Sequence, residues 1–256
     1  MSTAAVSNTQ LQELGSAHKA HKDFFDVTCG YAGEKPYGVF KACHVLPNLF
    51  QELDILSKDN AELNAAIGAA KLAKLSRSPF DFVRNTHGLC ATFVQWWKGE
   101  EREFKGKYDE TLATRKVAVT DVVRDANGCI APVWEMHEFL SKAILYSPVN
   151  MIFKGISAIA LTIKFGWDAF DSLKWIESSK YSSLEGAARD EKFPKMTGHL
   201  MQLAVEVSFV ALGVLTVLSV FFQFVFAPLL FAGFSASTVV FAILGYYHEH
   251  LGPGIK

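Results

Sequence analysis

The sequence lacks charge over a long stretch near its carboxyl end. Residues 207–247 contain no Asp, Glu, Lys, Arg or His, although 20% of the whole chain is charged. A helix needs about 20 apolar residues to cross the hydrocarbon core of a bilayer, so this stretch of 41 residues is long enough for two crossings. Pro228 lies near its middle, where a turn between two helices would fall. The stretch therefore predicts a helical hairpin in a membrane.

Other absences narrow the function. The four cysteines form no C-x-x-C pair, and this wide spacing favours free thiols in a reducing compartment. The formal net charge of −1 argues against nucleic acid as the main partner. His, Cys and acidic residues never occur at a complete metal-ligand spacing, and no nucleophile has a recognisable base. We therefore expect no catalytic residue, metal or cofactor, and a protein that is not an enzyme.

Hydropathy supports two membrane helices. The fourteen Val, Leu and Phe residues from Val207 to Phe226 contribute about −4 to −8 kcal/mol on a membrane-insertion scale. The nine comparable residues from Leu229 to Tyr247 contribute roughly −3 to −5 kcal/mol. Small residues in the second helix would allow close packing and oligomerisation; they are Gly233, Ser235, Ala236 and Ser237. We place the transmembrane hairpin at residues 203–248 and a short tail at 249–256.

Residues at the ends of the hairpin predict its orientation. Tyr246 and Tyr247 lie where aromatic side chains anchor a helix at the membrane surface. Basic residues precede the hairpin at Arg189, Lys192 and Lys195, whereas the turn around Pro228 is uncharged. Because positive residues stay on the cytosolic side, we expect an integral membrane protein with both termini facing the cytosol.

The region before the hairpin is expected to be mainly helical over residues 39–180. Apolar residues at three- and four-residue steps indicate a helix at 45–57, and Asn60 can cap the next one. Ser78, followed by a proline, opens a third helix that ends at Gly99. The fold class that follows is all-α, with a bundle-like amino-terminal region and a carboxyl-terminal two-helix hairpin.

The connecting segments are expected to be irregular. Residues 1–38 are interpreted as a flexible start and a loop rich in Gly and Pro at 29–38, and residues 181–202 as a charged linker. Segment 99–108 is interpreted as a charged turn or exposed helix. Valines at 117–123 would suit a strand without a clear partner, and residues 125–128 a turn.

Residues 148–180 predict the longest helix outside the hairpin. Lys154 and Lys164 together nearly cancel the gain from burying its apolar residues, so a membrane crossing is disfavoured. The helix could instead lie on the membrane or pack against the bundle, and the sequence leaves both open. Its apolar face is formed by Ile152, Ile156, Ile159, Ile163, Trp167 and Phe170.

Two apolar spans joined by a very short turn resemble the bilobed hydrophobic hairpin of chlamydial inclusion-membrane proteins. The two lobes correspond to the stretches from Val207 to Phe226 and from Leu229 to Tyr247, and the start of the chain carries a similar set of Ser and Thr residues. The resemblance implies a secreted bacterial protein in the membrane of a host vacuole, with its helical region facing the host cytosol.

These observations define three classes of function. The leading expectation is a membrane-anchored interaction or membrane-organising protein, with lipid as one partner and an unknown protein as another through residues 39–180. The layout is also similar to pore-forming colicin-type domains, in which amphipathic helices shelter an apolar hairpin until it inserts. A thiol-dependent enzyme using Cys90 or Cys129 is the third class.

Overall fold

The computed structural model describes residues 24–105, 112–145, 150–178 and 187–251 of the chain. These residues are almost entirely helical, and two long apolar helices end the described part, so the all-α class is confirmed. The flexible start expected within residues 1–38 lies outside the described residues as far as residue 23. The α-helices are α1 (Phe24–Glu34), α2 (Pro36–Glu52), α3 (Ala61–Leu75), α4 (Ser78–Lys98), α5 (Val119–Ile130), α6 (Val133–Phe139), α7 (Met151–Ser178), α8 (Ala187–Phe221) and α9 (Pro228–Leu251).

Several helix ends lie where the sequence predicts them. The Asn60 side chain accepts the N–H of Leu63 at 3.0 Å and caps α3. Helix α4 begins with a proline in its first turn and ends at Gly99, whose φ of 65° lies in the left-handed region. Ser78 does not cap this helix, since its hydroxyl donates to the Glu135 carboxylate at 3.2 Å. A short π-helix, Leu140–Leu145, follows α6.

The loop expected at residues 29–38 is wrong, because this segment is helical except at Lys35. Its glycines permit close contacts with aromatic side chains. A Cβ on Gly30 would lie 3.3 Å from the Tyr246 hydroxyl oxygen, and a Cβ on Gly38 would collide with the Tyr31 hydroxyl. The packing of α1 and α2 therefore outweighs the low intrinsic helix propensity of glycine.

The described part of residues 99–128 also differs from the structure expected for it. Strands β1 (Glu101–Lys105) and β2 (Leu112–Lys116) form an antiparallel pair, whereas a turn or helix was expected at 99–108. The candidate strand at 117–123 is mostly helical, since α5 begins at Val119. The Asp121 carboxylate accepts the Ala118 N–H at 2.8 Å and pairs with Arg115 at 2.7 Å, which holds the start of this helix. The expected turn at 125–128 lies inside α5.

Helices α7, α8 and α9 form one layer, with α8 in the middle. Helix α2 packs on α9, while α5 and α6 pack on α7, so the amino-terminal helices cover one side of this layer. A small core forms where Val45 of α2 meets Ala236 and Val239 of α9. Helix α8 begins at Ala187, so the segment expected as a charged linker is helical from that residue.

The connection between α8 and α9 is short and apolar. Gln223 has a φ of 58°, and the N–H of Phe224 donates to the Leu218 carbonyl oxygen at 3.2 Å. The left-handed Gln223 and this hydrogen bond, which reaches back six residues, end α8. Pro228 then opens α9, at a position where its missing N–H costs nothing.

Glycines bring α7 and α8 into close contact. A Cβ on Gly213 would collide with the Thr162 hydroxyl and lie 3.1 Å from the Ala158 carbonyl oxygen. A Cβ on Gly155 would collide with the Phe221 ring. The two helices therefore approach through small residues, as packed membrane helices do.

Replacing Gly213 with Ala should lower stability, because the added methyl group meets the Ala158 backbone. We expect a loss of about 1–3 kcal/mol, the usual cost of overpacking. Gly233→Ala is the matched control, since nothing lies within 4 Å of its added Cβ; removing a helix glycine there should gain roughly 0.5–1 kcal/mol. Thermal unfolding in mild detergent measures both changes, and equal effects of the two variants would contradict this packing.

Candidate functional site

An exposed apolar surface covers the side of the α7–α8–α9 layer that the amino-terminal helices leave open. Its members are large hydrophobic residues with at least two-fifths of their surface exposed, and we call this surface the apolar plate. Monomeric proteins rarely expose so extended an apolar surface unless it binds lipid or protein. The plate consists of Ile152, Ile156, Ile159, Ile163, Phe170 and Leu173 on α7, Leu200, Val207, Val214 and Phe221 on α8, and Leu229, Leu230, Val240 and Leu244 on α9.

The connection between α8 and α9 continues this surface at one end of the layer. Val225 is 97% exposed, and Phe222 and Phe224 are also exposed; we call these three residues the apolar tip. Helix α7 starts beside them, because Gly155 lies against the Phe221 ring. An uncharged, aromatic tip of this kind can enter a bilayer without the cost of transferring a charge.

Two of the three layer helices have the length and composition of membrane spans. They are Met196–Phe221 and Pro228–Leu251, with mean hydropathies of 2.3 and 1.9. Only 22% of each apolar window is buried within the structure, whereas the core helix of a soluble protein would be mostly buried. Two such helices are consistent with membrane insertion, and each keeps large apolar residues exposed along its length.

The predicted hairpin residues occupy different positions in this site. Val207 and Leu229 belong to the plate, and Pro228 is exposed at the start of α9. Phe226 is half-buried, with its ring 6.5 Å from that of Phe231. The tyrosines lie at the opposite end of the hairpin from the tip: Tyr246 is buried and Tyr247 half-buried, both against α1.

The apolar face expected on residues 148–180 forms part of the apolar plate. Of its six residues only Trp167 is partly covered; its ring lies 5.8 Å from the Arg124 guanidinium. Helix α7 instead buries its small residues against α8. Sequence reasoning missed this small-residue seam, although spacings of three, four and seven residues could have indicated it. The seam on α7 consists of Gly155, Ala158, Thr162, Ala169 and Ser172.

A buried carboxylate lies in the same seam. Glu206 is 0% exposed, and it accepts hydrogen bonds from the Ser172 hydroxyl at 2.6 Å and from the Gln202 amide at 3.0 Å. A carboxylate in an apolar layer is costly unless such donors satisfy it. This polar contact therefore fixes the register of α7 against α8 near the end of the layer opposite the apolar tip.

Charged groups join the amino-terminal helices to one another. Glu138 of α6 accepts from Lys71 and Lys142, each at 2.7 Å. Burial raises the pKa of Glu138, but the hydrogen bonds from the two lysines outweigh it and leave the pKa below its usual value. Lys41 of α2 lies 4.4 Å from the centre of the Phe209 ring on α8, and burial lowers its pKa to about 8.

Helix α4 carries a second exposed apolar stripe, which we call the α4 ridge. Its positions follow one another at alternating steps of three and four residues, so they lie on one side of the helix. Trp97 is 76% exposed at its carboxyl-terminal end. The ridge is formed by Phe80, Val83, His87, Cys90, Val94 and Trp97.

The polar groups do not assemble a recognisable reaction centre in the described residues. No three His, Cys, Asp or Glu side chains there could hold a metal ion. The His250 ring donates a hydrogen bond from its Nδ1 atom to the Tyr246 carbonyl oxygen, 2.8 Å away. Cys90 is exposed, and burial raises the pKa of the Cys129 thiol, which makes that thiol a poorer nucleophile. The pair His18 and His21, three residues apart in the sequence and without a third metal ligand at a defined spacing, lies outside the described residues.

A cleft of about 620 Å³ between α4, α5 and α7 mixes both signs of charge. Arg124 in this cleft pairs with Asp171 at 2.8 Å, and Arg84 pairs with Asp81 at 3.4 Å. Because acids offset these cations, the cleft presents no concentrated charge for a ligand of either sign.

Comparisons with known proteins give no relative. No family model, curated protein or solved structure matches this chain. The fold and the exposed surfaces by themselves define an all-α protein with two apolar helices long enough to cross a membrane.

Ser172→Ala should destabilise the protein, because it removes a hydroxyl donor from the buried Glu206 carboxylate. We expect a loss of about 1–3 kcal/mol, the cost of an unsatisfied buried polar group. Ser237→Ala is the control, since that hydroxyl donates to the Gly233 carbonyl oxygen of its own helix at 3.0 Å. Thermal unfolding in detergent should show a lower stability for Ser172→Ala than for Ser237→Ala. Equal stabilities of the two variants would argue against the buried contact.

His44 should make stability fall in mild acid. Burial lowers its pKa from 6.5 to about 4, and the Asn48 amide nitrogen, which can only donate, lies 3.2 Å from its Nδ1 atom. Between those two pKa values the unfolded chain binds a proton that the folded chain does not, so stability decreases as the pH falls through this window. His44→Gln should flatten the dependence between pH 7 and pH 5, unlike replacement of the exposed His87. A profile unchanged by His44→Gln would refute the neutral, buried imidazole.

Proposed function

We propose that this chain is a membrane-anchored, non-enzymatic helical protein that organises a membrane or recruits a partner to it. The observation that best supports this proposal is that the apolar residues of the plate and the tip are exposed on an uncharged hairpin. Hydrophobic surface of this extent, formed by aliphatic and aromatic side chains in a stretch that has no Asp, Glu, Lys, Arg or His from residue 207 to residue 247, suits acyl chains as its partner.

The proposal places both ends of the hairpin on the cytosolic side. The Tyr246 hydroxyl donates to Glu34 at 3.0 Å, and Tyr247 and Thr28 share a hydrogen bond of 2.6 Å between their hydroxyl oxygens. These contacts hold the end of α9 beside α1, so the hairpin returns to the side where the chain entered it. The basic residues before the hairpin favour the cytosol as that side.

The amino-terminal helices form the interaction module in this proposal. The α4 ridge offers a partner helix an apolar stripe with one histidine in it, and an apolar stripe on one side of a helix is a common mode of helix recognition. If a bacterium secretes the chain, as its resemblance to inclusion-membrane proteins implies, the module would face host cytosol from a vacuole membrane.

A sheltered, colicin-like hairpin is the second candidate. It is favoured by the contact of α2 with α9, where Val45 packs on Ala236 and Val239. A hairpin that stays sheltered until triggered would leave the protein soluble without detergent. A constitutive anchor would remain with membranes through alkaline carbonate extraction.

Two carboxylates in the apolar tip should weaken membrane binding. Phe222→Glu with Val225→Glu places charge where the hairpin meets lipid, and we expect at least about a tenfold loss of liposome binding. Ala65→Glu with Ala69→Glu adds the same charge on the exposed side of α3 and is the control. Flotation of the full chain with liposomes measures both. Equal binding by the two double variants would contradict the proposed anchor.

A further inference from the structure

Helix α7 turns three different faces to its surroundings. Its small residues pack on α8. Its polar residues meet α5 and α6: Ser157 accepts the N–H of Trp134 at 2.8 Å, and Asp171 pairs with Arg124 at 2.8 Å. The Lys154 ammonium lies 5.9 Å from the centre of the Trp134 ring. The isoleucine-rich third face is left uncovered, and the charges of Lys154 and Asp171 are directed away from it.

The uncovered residues of α8 form a line parallel to the helix axis. Leu200, Val207, Val214 and Phe221 follow one another at seven-residue intervals. Residues seven apart on an α-helix differ in direction by only about 20°, so the line drifts little over its length. It extends roughly 30 Å, at 1.5 Å per residue, and runs beside the exposed isoleucines of α7.

The opposite side of the layer is closed to lipid. Helix α2 covers the Ala236 and Val239 side of α9, and Lys41 of α2 lies over Phe209 of α8. A bilayer surrounding the hairpin on every side would therefore also have to bury Lys41 and the neighbouring lysines of α3. Placing such charges at the depth of the acyl chains costs several kcal/mol. In this conformation lipid can reach the apolar plate and the apolar tip that continues it.

We propose that α7 is the third helix of the membrane anchor, and that the three-helix layer lies along one leaflet with the apolar plate among the acyl chains. Helices α2, α5 and α6 stay on the water side. This inference rests on the proposed function and specifies which surface meets lipid. Lipid is the occupant because the plate between Val207 and Leu244 consists of hydrocarbon side chains, whereas a protein interface would carry a polar rim with hydrogen bonds.

Lysine placement at one end of the plate fits this arrangement. The Lys174 ammonium lies 4.7 Å from the centre of the Phe170 ring, where its long side chain can reach back toward water. Amphipathic helices that lie in the membrane plane bury their apolar side about 5–10 Å below the headgroups. The same depth is expected here for α7 and α8.

The test maps depth along the helices of the full-length protein. An environment-sensitive fluorescent amino acid is encoded singly at Val207, Val214 or Phe221 on α8, at Ile156 or Ile163 on α7, or at Ala65 on α3. The protein is bound to phosphatidylcholine–phosphatidylglycerol vesicles that contain lipids carrying a quencher at a shallow or a deep acyl position. Flotation of each variant is measured in parallel.

We expect all five plate positions to lie at one shallow depth, about 5–10 Å below the headgroups, and Ala65 to remain unquenched. A transmembrane hairpin would instead place Val214 near the bilayer centre, about 15 Å deep, with Phe221 shallower. That profile, or unquenched positions on α7, would overturn this inference while leaving the anchor intact. Failure of every variant and of the unmodified protein to float would overturn the proposed function itself.

Discussion

The structure depends on shielding an uncharged surface from water. Residues 207–247 contribute most of α9 and the second part of α8 without an Asp, Glu, Lys, Arg or His side chain, and no arrangement of two helices can cover both on all sides. The chain supplies α7 on one flank of α8 and α2 on one face of α9, and the remaining face stays open. The apolar plate and the apolar tip are the surfaces that these contacts leave exposed, and the functional proposal is based on these two surfaces.

The seam between α7 and α8 makes this arrangement specific. Gly155 and Gly213 allow the helices to approach closely, and packing at short range supplies attraction that does not depend on water. Glu206 adds a polar contact with Ser172 across the seam, so a shifted register would take this donor away from the buried carboxylate. The seam therefore both holds α7 and α8 together and sets their register. As a result, the isoleucine face of α7 lies on the same side of the layer as the open face of α8.

The sequence was most informative where one physical requirement dominates. The absence of charge located the hairpin, and local chemistry at Asn60, Gly99 and Pro228 located helix ends, because each depends on a few adjacent residues. Residues 29–38 were misjudged because their glycines serve contacts with Tyr31 and Tyr246 that are distant in the chain or on another turn of helix. The role of α7 was also hidden: periodicity identified its apolar face, but which face packs depends on Gly213 of a different helix.

The candidate site has no arrangement of side chains that indicates a particular reaction. The site is a surface of aliphatic and aromatic side chains. Such a surface suits an apolar medium and carries no reacting group. Polar clusters in the described residues, such as the lysines around Glu138, are satisfied by one another and join helices. We therefore expect functional specificity at the α4 ridge, which lies on a helix outside the α7–α8–α9 layer.

Sedimentation velocity of the full chain, with and without lipid nanodiscs and in the absence of detergent, tests the central claim most directly. If lipid is what shields the plate, the protein alone should sediment as heterogeneous aggregates and should form a single species only with nanodiscs. A stable monomer in plain buffer that ignores added nanodiscs would show that the chain shields its own apolar surface, and would contradict this account.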